Sequence, residues 1–200
     1  MARYTGPKCR LCRALAVKLY LKGSRCDSPN CPMAKRPQAP GQHGTVRGRP
    51  SEYKIQLQEK QKAKRIYGVL EKQFRRYVDA ALKTKGVTGE VLLQKLESRL
   101  DNLVYKSGFA VSRAQARQYI RSGFFMVNDK VETIPSRNLK VGDVIKPISF
   151  EKIHLREGFV LPEWLTANVK ERCVKLERLP ALEDLGGMVD VALIIEFYSR

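Results

Sequence analysis

Apolar side chains recur at three- and four-residue steps between residues 70 and 104, and this spacing predicts helices that each bury one face. The first stripe consists of Leu70, Phe74, Tyr77, Val78 and Ala81. After Gly86 the spacing continues with Leu93, Leu96, Leu100, Leu103 and Val104. Both stripes are typical of an ordinary helical core.

Residues 52–67 also predict a helix, which Ser51 would cap and Gly68 would end. The apolar residues of this helix form no wide stripe, and four cations crowd its second half, namely Lys60, Lys62, Lys64 and Arg65. We therefore expect it to be solvated or to pack against something polar and anionic.

From residue 97 to residue 147 the pattern changes from helices to short strands. Ser112 can cap a helix over residues 113–122. Asn128-Asp129 is a two-residue turn signal between predicted strands at 124–127 and 130–133, and a further strand is predicted over 139–145. Helices followed by strands predict the α+β class.

The charge narrows the possible partners. The chain carries a net +18, and +13 of it lies in the first 65 residues, where sixteen Lys and Arg accompany three acidic residues. This field favours a polyanion, either nucleic acid or an anionic membrane. Because we find no apolar run near the roughly 18 residues of a membrane span and no signal or transit peptide, we expect a soluble cytosolic protein. Residues 151–200 carry −2 and should face protein or solvent.

Four cysteines predict a metal site. Cys9 and Cys12 are separated by two residues, Cys26 and Cys31 by four, and thirteen residues lie between the pairs. Two thiolate pairs across such a loop suit tetrahedral coordination, for which Zn²⁺ is the favoured metal. Four sulfur ligands leave no position for water, so we predict one structural zinc ion. Cys173 is expected to be an ordinary buried thiol.

Three alternatives to this zinc site stay open. The spacing alone also admits iron, His43 is an alternative ligand, and the thiols could cluster without a metal. The segment between the pairs has too few apolar residues for a core of its own, which favours a metal as a source of folding free energy.

Two further segments present cations. Residues 35–50 hold three prolines and three glycines, which predict an extended arm whose Arg36, Arg47 and Arg49 can contact phosphates; a disordered linker is the alternative. Arg113, Arg117 and Arg121 recur every four residues, and phosphates across this row would relieve their repulsion. A solvated face is the alternative there.

Several motifs resemble a known family. Leu96-Glu-Ser-Arg-Leu-Asp-Asn-Leu-Val-Tyr, Gly108-Phe-Ala-Val-Ser-Arg-Ala-Gln-Ala-Arg-Gln and Val141-Gly-Asp-Val-Ile resemble the RNA-binding module named after bacterial small-subunit ribosomal protein four. The four cysteines, Pro40-Gly-Gln-His-Gly, Gln56-Leu-Gln-Glu-Lys-Gln-Lys and Ile195-Glu-Phe-Tyr-Ser-Arg extend the resemblance to the full-length family in its zinc-binding form.

The resemblance implies an architecture. A mainly helical first lobe would comprise a zinc-binding basic arm over residues 1–46 and a helical domain over 47–96. A small helix-and-strand RNA-binding module would be inserted over 97–150, and residues 151–200 would return to the helical domain.

The resemblance also implies a non-enzymatic constituent of the small ribosomal subunit in a bacterial-type cytoplasm. Such a protein would bind the 5′ domain of small-subunit ribosomal RNA, nucleate assembly and contribute to translational accuracy. Ribosomal proteins three and five would be its neighbours where messenger RNA enters, and messenger RNA would be a further partner there, near Arg47 and Arg49. Neither DNA nor a membrane is expected as a partner.

The predicted RNA-binding residues lie in the arm, the polar helix and the row of arginines. They are Arg3, Tyr4, Lys8, Arg10, Arg13, Lys22, Arg25, Lys35, Arg36, Gln42, His43, Arg47, Arg49, Ser51, Tyr53, Gln56, Lys60, Lys62, Lys64, Arg65, Arg75, Ser112, Arg113, Gln115, Arg117, Gln118 and Arg121.

Two rival functions would leave other signals in the sequence. An RNA-modifying enzyme would need a catalytic constellation, and the two histidines and scattered acids form none that we recognise. A zinc-dependent nucleic-acid-binding regulator outside the ribosome would need a recognition helix, and the cysteine loop contains none.

Overall fold

A computed structural model describes residues 3–42, 44, 49–153, 155–156, 158–168, 172–185 and 187–199. The chain divides into two compact units. The first comprises Met1–Gly89 and Met188–Arg200, and the second comprises Glu90–Gly187. No helix in the described part of the chain is long and apolar enough to cross a membrane.

The first unit is helical. Its helices are α1 (Lys8–Leu15), α2 (Pro32–Lys35), α3 (Glu52–Ile66), α4 (Glu71–Leu82) and α8 (Val191–Tyr198), with a 3₁₀ turn at Gly23–Cys26. α3 packs against α8 and, less extensively, against α1. Residues far apart in sequence thus build one helical unit.

Both helices predicted between residues 51 and 82 are confirmed. The Ser51 side chain caps α3 by accepting a hydrogen bond from the Lys54 amide at 3.4 Å. In α4 the predicted apolar stripe is buried from Phe74 to Ala81, whereas Leu70 is 40% exposed because it precedes the helix at the N-cap position.

The second unit begins with α5 (Thr88–Glu97), whose first residues belong to the first unit, and continues with α6 (Leu100–Lys106) and α7 (Arg113–Arg121). The predicted stripe from Leu93 to Val104 is buried throughout, but it spans two helices. Arg99 has extended backbone angles and separates them. As predicted, Ser112 caps α7, accepting from the Gln115 amide at 3.3 Å.

A five-stranded antiparallel sheet completes this unit, in the order β2-β1-β3-β5-β4. The strands are β1 (Phe125–Val127), β2 (Lys130–Val131), β3 (Val144–Pro147), β4 (Leu165–Asn168) and β5 (Cys173–Leu176). The predicted turn joins β1 to β2, with positive φ at both Asn128 and Asp129. β3 starts later than predicted because residues 140–143 turn, with the Lys140 amide bonded to the Asp143 carboxylate at 2.8 Å.

The point at which the chain returns to the first unit differs from the predicted one, which was residue 151. Residues 151–187 lie in the second unit, and only residues 188–200 belong to the first. β5 pairs with β3, placing Val174 opposite Ile145. Trp164 and Leu176, each 1% exposed, join the core of the second unit. Backbone pairing and apolar burial therefore keep this segment with the module that precedes it.

Candidate nucleic-acid interface and cysteine cluster

The predicted RNA-binding residues differ widely in exposure. The exposed ones are Arg3, Tyr4, Arg10, Lys22, Arg25, Lys35, Arg36, Gln42, Arg49, Ser51, Tyr53, Arg75, Gln118 and Arg121. Half-buried are Lys8, Arg13, Lys62, Lys64, Arg65, Arg113 and Gln115, and buried are Gln56, Lys60, Ser112 and Arg117. His43 and Arg47 lie outside the described residues.

Lys60 of α3 is held inside the first unit. It is 6% exposed, and its Nζ lies 2.9 Å from Glu71 Oε1 and 4.3 Å from the centre of the Phe197 ring. Lys64 and the Tyr198 hydroxyl donate to the same carboxylate at 2.8 Å each. Burial alone would raise the pKa of Glu71, but the hydrogen bonds from Lys64, Lys60 and Tyr198 lower it to about 2.

Two further cations of α3 also have partners within the chain. Lys62 pairs with Glu59 at 3.1 Å, and Arg65 Nη1 donates to the Leu11 carbonyl at 3.3 Å, which ties α3 to α1. Burial lowers the pKa of Arg65 below its usual value. The polar, anionic partner expected for α3 is therefore largely intramolecular for these cations. Gln56 and Lys60 are buried, and their RNA contacts stay predictions.

Asp101 of α6 binds two arginines in the second unit, one of them on α7. Its carboxylate is buried and accepts two hydrogen bonds from Arg99, at 3.0 Å to Nε and 2.6 Å to Nη2. Arg117, 7% exposed, lies 3.5 Å from the same carboxylate. A buried cation next to a buried carboxylate has a structural role, and the RNA contact of Arg117 stays a prediction.

Arg113 is attached to α6. Its Nε donates to Asn102 Oδ1 at 2.7 Å, and its guanidinium lies 4.5 Å from the centre of the Tyr105 ring. Arg156 lies 5.0 Å from the same ring. Of the predicted row, Arg121 alone is classed as exposed. The predicted row of three arginines therefore consists of one exposed, one half-buried and one buried side chain.

Some of these residues were missed by the sequence analysis. Asp101 and Arg99 form a buried pair whose only local signal is an opposite charge two residues away. Arg156 approaches Tyr105 from a segment more than forty residues later, so no sequence spacing reports it. Ser24, Ser28 and Asn30 lie among basic residues around the cysteines, and they were not among the predicted RNA-binding residues.

The four cysteines lie near one another as free thiols. Cys12, Cys26 and Cys31 are buried and Cys9 is half-buried. Burial raises the pKa of the Cys12 thiol, and electrostatic interaction with the other three thiols raises it further. The Lys22 amide donates to Cys26 Sγ at 3.3 Å. Within the described ranges, no group of three or more His, Cys, Asp or Glu residues is arranged to hold a metal ion.

Comparison with known families accounts for most of the chain. Residues 3–97 match the family described as ribosomal protein S4/S9 N-terminal domain, and residues 98–145 match the S4 domain. The chain belongs to the uS4 family of small ribosomal subunit proteins. It is 52% identical to small ribosomal subunit protein uS4 of Dictyoglomus turgidum over 206 residues, covering 100% of both chains. The uS4 proteins of Acetivibrio thermocellus, at 52%, and Acidithiobacillus ferrooxidans, at 47%, are likewise covered completely.

Membership of this family settles two predictions. The uS4 proteins are structural components of the small ribosomal subunit, so the predicted ribosomal role is confirmed. They are not enzymes, which confirms the prediction of a non-enzymatic protein and removes the RNA-modifying enzyme as a rival.

Proposed function

We propose that this chain binds the 5′ domain of small-subunit ribosomal RNA and nucleates assembly of the subunit. The observation that carries the proposal is the exposed basic surface of the first unit, formed by Arg3, Arg10, Lys22, Arg25, Lys35 and Arg36. Asp27 is the single acidic residue before Glu52. Phosphate contacts from such a surface dominate affinity, and the shape of the RNA supplies specificity.

The two units differ in how many of the predicted RNA-binding residues they expose to solvent. In the first unit many cations face solvent, whereas in the second unit Arg121 and Gln118 are the exposed members of the predicted set. We expect the first unit to supply most of the phosphate contacts and α7 to supply a smaller contribution.

The binding experiment compares transcripts of the 5′ domain, the 3′ domain and a length-matched DNA duplex, each titrated with full-length protein between 50 and 200 mM salt. We expect tightest binding to the 5′ domain, and a log–log salt slope of about −0.7 to −0.9 per phosphate contact. Equal affinity for all three nucleic acids would contradict the proposal.

The cysteine cluster is proposed to hold one structural zinc ion on Cys9, Cys12, Cys26 and Cys31. Three buried thiols that interact electrostatically with a fourth supply the soft donors that zinc prefers. The segment between the two pairs has too few apolar residues for a core of its own. Zinc would therefore add folding free energy to residues 9–31.

Zinc stoichiometry tests this second proposal. We expect one zinc per chain by native mass spectrometry, its loss in Cys12→Ser, and its retention in Cys173→Ser. Metal-free protein whose helicity and RNA affinity equal those of the zinc-loaded protein would contradict it.

Further partners follow from ribosomal membership as proposals. Ribosomal proteins three and five would be its neighbours in the small subunit. Messenger RNA would pass near Arg47 and Arg49 where it enters the subunit, and translational accuracy would depend on that contact. The protein would reside in the cytoplasm. Cross-linking within assembled subunits checks the neighbours directly.

A further inference from the structure

A pocket of about 840 Å³ lies in the first unit, in the segments that flank Cys12, Cys26 and Cys31. Four cations line it, namely Arg13, Arg25, Lys35 and Arg36. Pockets for small organic ligands have volumes of about 300–1,000 Å³. This concavity is open to solvent, and its volume admits ligands from a single ion up to one or two nucleotides.

The charges around this pocket are unbalanced. None of its lining residues is acidic, and neighbouring Asp27 does not line it. In the part of the chain that the structure describes, none of the four cations forms an ion pair with a carboxylate. Four positive charges around one concavity repel one another, and a ligand with more than one phosphate would convert this repulsion into attraction.

Two of the cations are oriented by hydrogen bonds that leave donors available. Arg13 Nε donates to the Gln38 carbonyl at 2.9 Å, and Lys35 Nζ donates to Asn30 Oδ1 at 2.9 Å. A guanidinium has five N–H donors and an ammonium has three, so each retains several for a ligand. Arg25 and Arg36 are exposed at the same pocket.

The backbone of the pocket wall is held by short-range hydrogen bonds. Three backbone amides donate to backbone carbonyls here: Asp27 to Ser24 at 3.1 Å, Cys31 to Ser28 at 3.1 Å, and Arg36 to Pro32 at 2.9 Å. These turns fix the backbone that carries the cations, so less backbone ordering is needed when a ligand binds.

We propose that this pocket receives one or two unpaired nucleotides of a folded RNA. Their phosphates lie against Arg25, Lys35 and Arg36, and Ser24 and Asn30 face the ribose or base. Unpaired nucleotides can be splayed out of a strand, whereas nucleotides inside an A-form duplex cannot enter a pocket. The inference rests on the RNA-binding function proposed above and adds the place and the strand conformation.

A matched pair of double variants tests the pocket in the full-length protein. Arg25→Ala with Arg36→Ala removes two pocket charges, and Lys72→Ala with Lys83→Ala removes two exposed charges outside it. We expect the pocket variant to lose about 10-fold or more in affinity for the 5′-domain transcript and about two units of log–log salt slope. The control should lose less than about 3-fold. Circular dichroism verifies that both fold.

Short probes distinguish the possible ligands. We expect a labelled single-stranded tetranucleotide to bind the wild-type protein and the control but not the pocket variant, and to compete with the transcript. Preference for the same tetranucleotide in duplex form, or equally tight binding of inorganic tripolyphosphate, would overturn the assignment to unpaired RNA.

The two proposals fail separately. If both double variants weaken transcript binding equally, the pocket is not a specific site, although the protein still binds ribosomal RNA. If the wild-type protein does not bind the 5′-domain transcript, the proposed function itself fails.

Discussion

Arg117 and Arg121 lie one helical turn apart on α7 and have opposite environments. Arg117 is buried beside Asp101, which also holds Arg99, whereas Arg121 is exposed. The two side chains share charge and sequence context, so their roles are decided by which of them faces the carboxylate. One is expected to stabilise the unit and the other to bind RNA.

Substitution separates these roles. Arg117→Ala should lower the free energy of unfolding of the second unit by about 1–3 kcal/mol, because a buried charge-assisted contact is lost while Arg99 still partners Asp101. Arg121→Ala should change stability by less than about 0.5 kcal/mol and lower the salt slope of RNA binding by about one unit. Trp164, the sole tryptophan and 1% exposed, reports unfolding of this unit by fluorescence. Equal destabilisation by the two substitutions would contradict this assignment.

Glu71 gives the first unit a pH dependence. Its pKa is about 2 in the folded protein against an ordinary value of 4.5, so folding favours the deprotonated carboxylate. The resulting stabilisation is complete above pH 4.5 and is lost as the pH falls from there towards 2. The pKa of Tyr198 is raised by burial and by Glu71, so its hydroxyl stays a donor throughout this range.

Glu71→Gln should therefore destabilise the first unit at neutral pH and flatten its stability between pH 4.5 and 2. Far-UV circular dichroism during urea unfolding measures the effect, with Trp164 fluorescence as the internal reference for the second unit. The exposed Glu196→Gln serves as the matched control. A stability profile identical to that of the wild type would show that Glu71 does not stabilise the fold.

At the scale of elements, the β1–β2 hairpin uses a turn with two left-handed residues. Asn128 has φ 49° and Asp129 has φ 61°. Asn tolerates this conformation well, and glycine is the favoured residue at the second position of such a turn. Asp129 is therefore mildly strained, although Asn128 Nδ2 supports the turn by donating to Asp143 at 2.8 Å.

Asp129→Gly should raise the free energy of unfolding of the second unit by about 0.5–1 kcal/mol, because glycine adopts positive φ without a Cβ clash. Lys130→Gly, in the adjacent strand, should instead lower it through backbone entropy. Urea denaturation followed by Trp164 fluorescence compares the two. Destabilisation by Asp129→Gly would mean that its side chain outweighs the strain.

At the scale of the whole molecule, the last residues of the chain complete the first unit. α8 packs on α3. The centre of the Phe197 ring lies 5.6 Å from the centre of the Tyr53 ring, and Lys60 Nζ lies over the Phe197 ring. Asp190 caps α8 and its amide donates to Glu59 of α3 at 3.2 Å. Apolar and polar contacts thus join segments more than 120 residues apart.

A chain that ends at Gly187 should lose helicity from the first unit while Trp164 stays buried in the second. The reason is that removal of α8 takes away the helix that packs on α3, including the Phe197 ring beside Tyr53 and Lys60. Circular dichroism and Trp164 fluorescence, recorded on the same sample, check both halves of this expectation. Loss of the tryptophan signal at the same time would contradict independent folding of the second unit.

The sequence by itself determined the local elements of this protein. Caps at Ser51 and Ser112, the turn at Asn128-Asp129 and the apolar stripes of α4 to α6 were all predictable, because they depend on residues within a few positions of one another. Motifs in order along the chain were enough to identify the family. The basic first third likewise follows from composition alone.

Only the tertiary structure decided which charges are available to a ligand. Lys60 and Arg117 are as cationic in sequence as Arg36 and Arg121. In the fold, however, Lys60 is buried beside Glu71 and the Phe197 ring, and Arg117 is buried beside Asp101. The pairing of β5 with β3 was also beyond sequence reasoning, and the return of the chain end to the first unit was implied only by the family resemblance. Each depends on contacts across long stretches of chain, and side-chain spacing carries no record of such contacts.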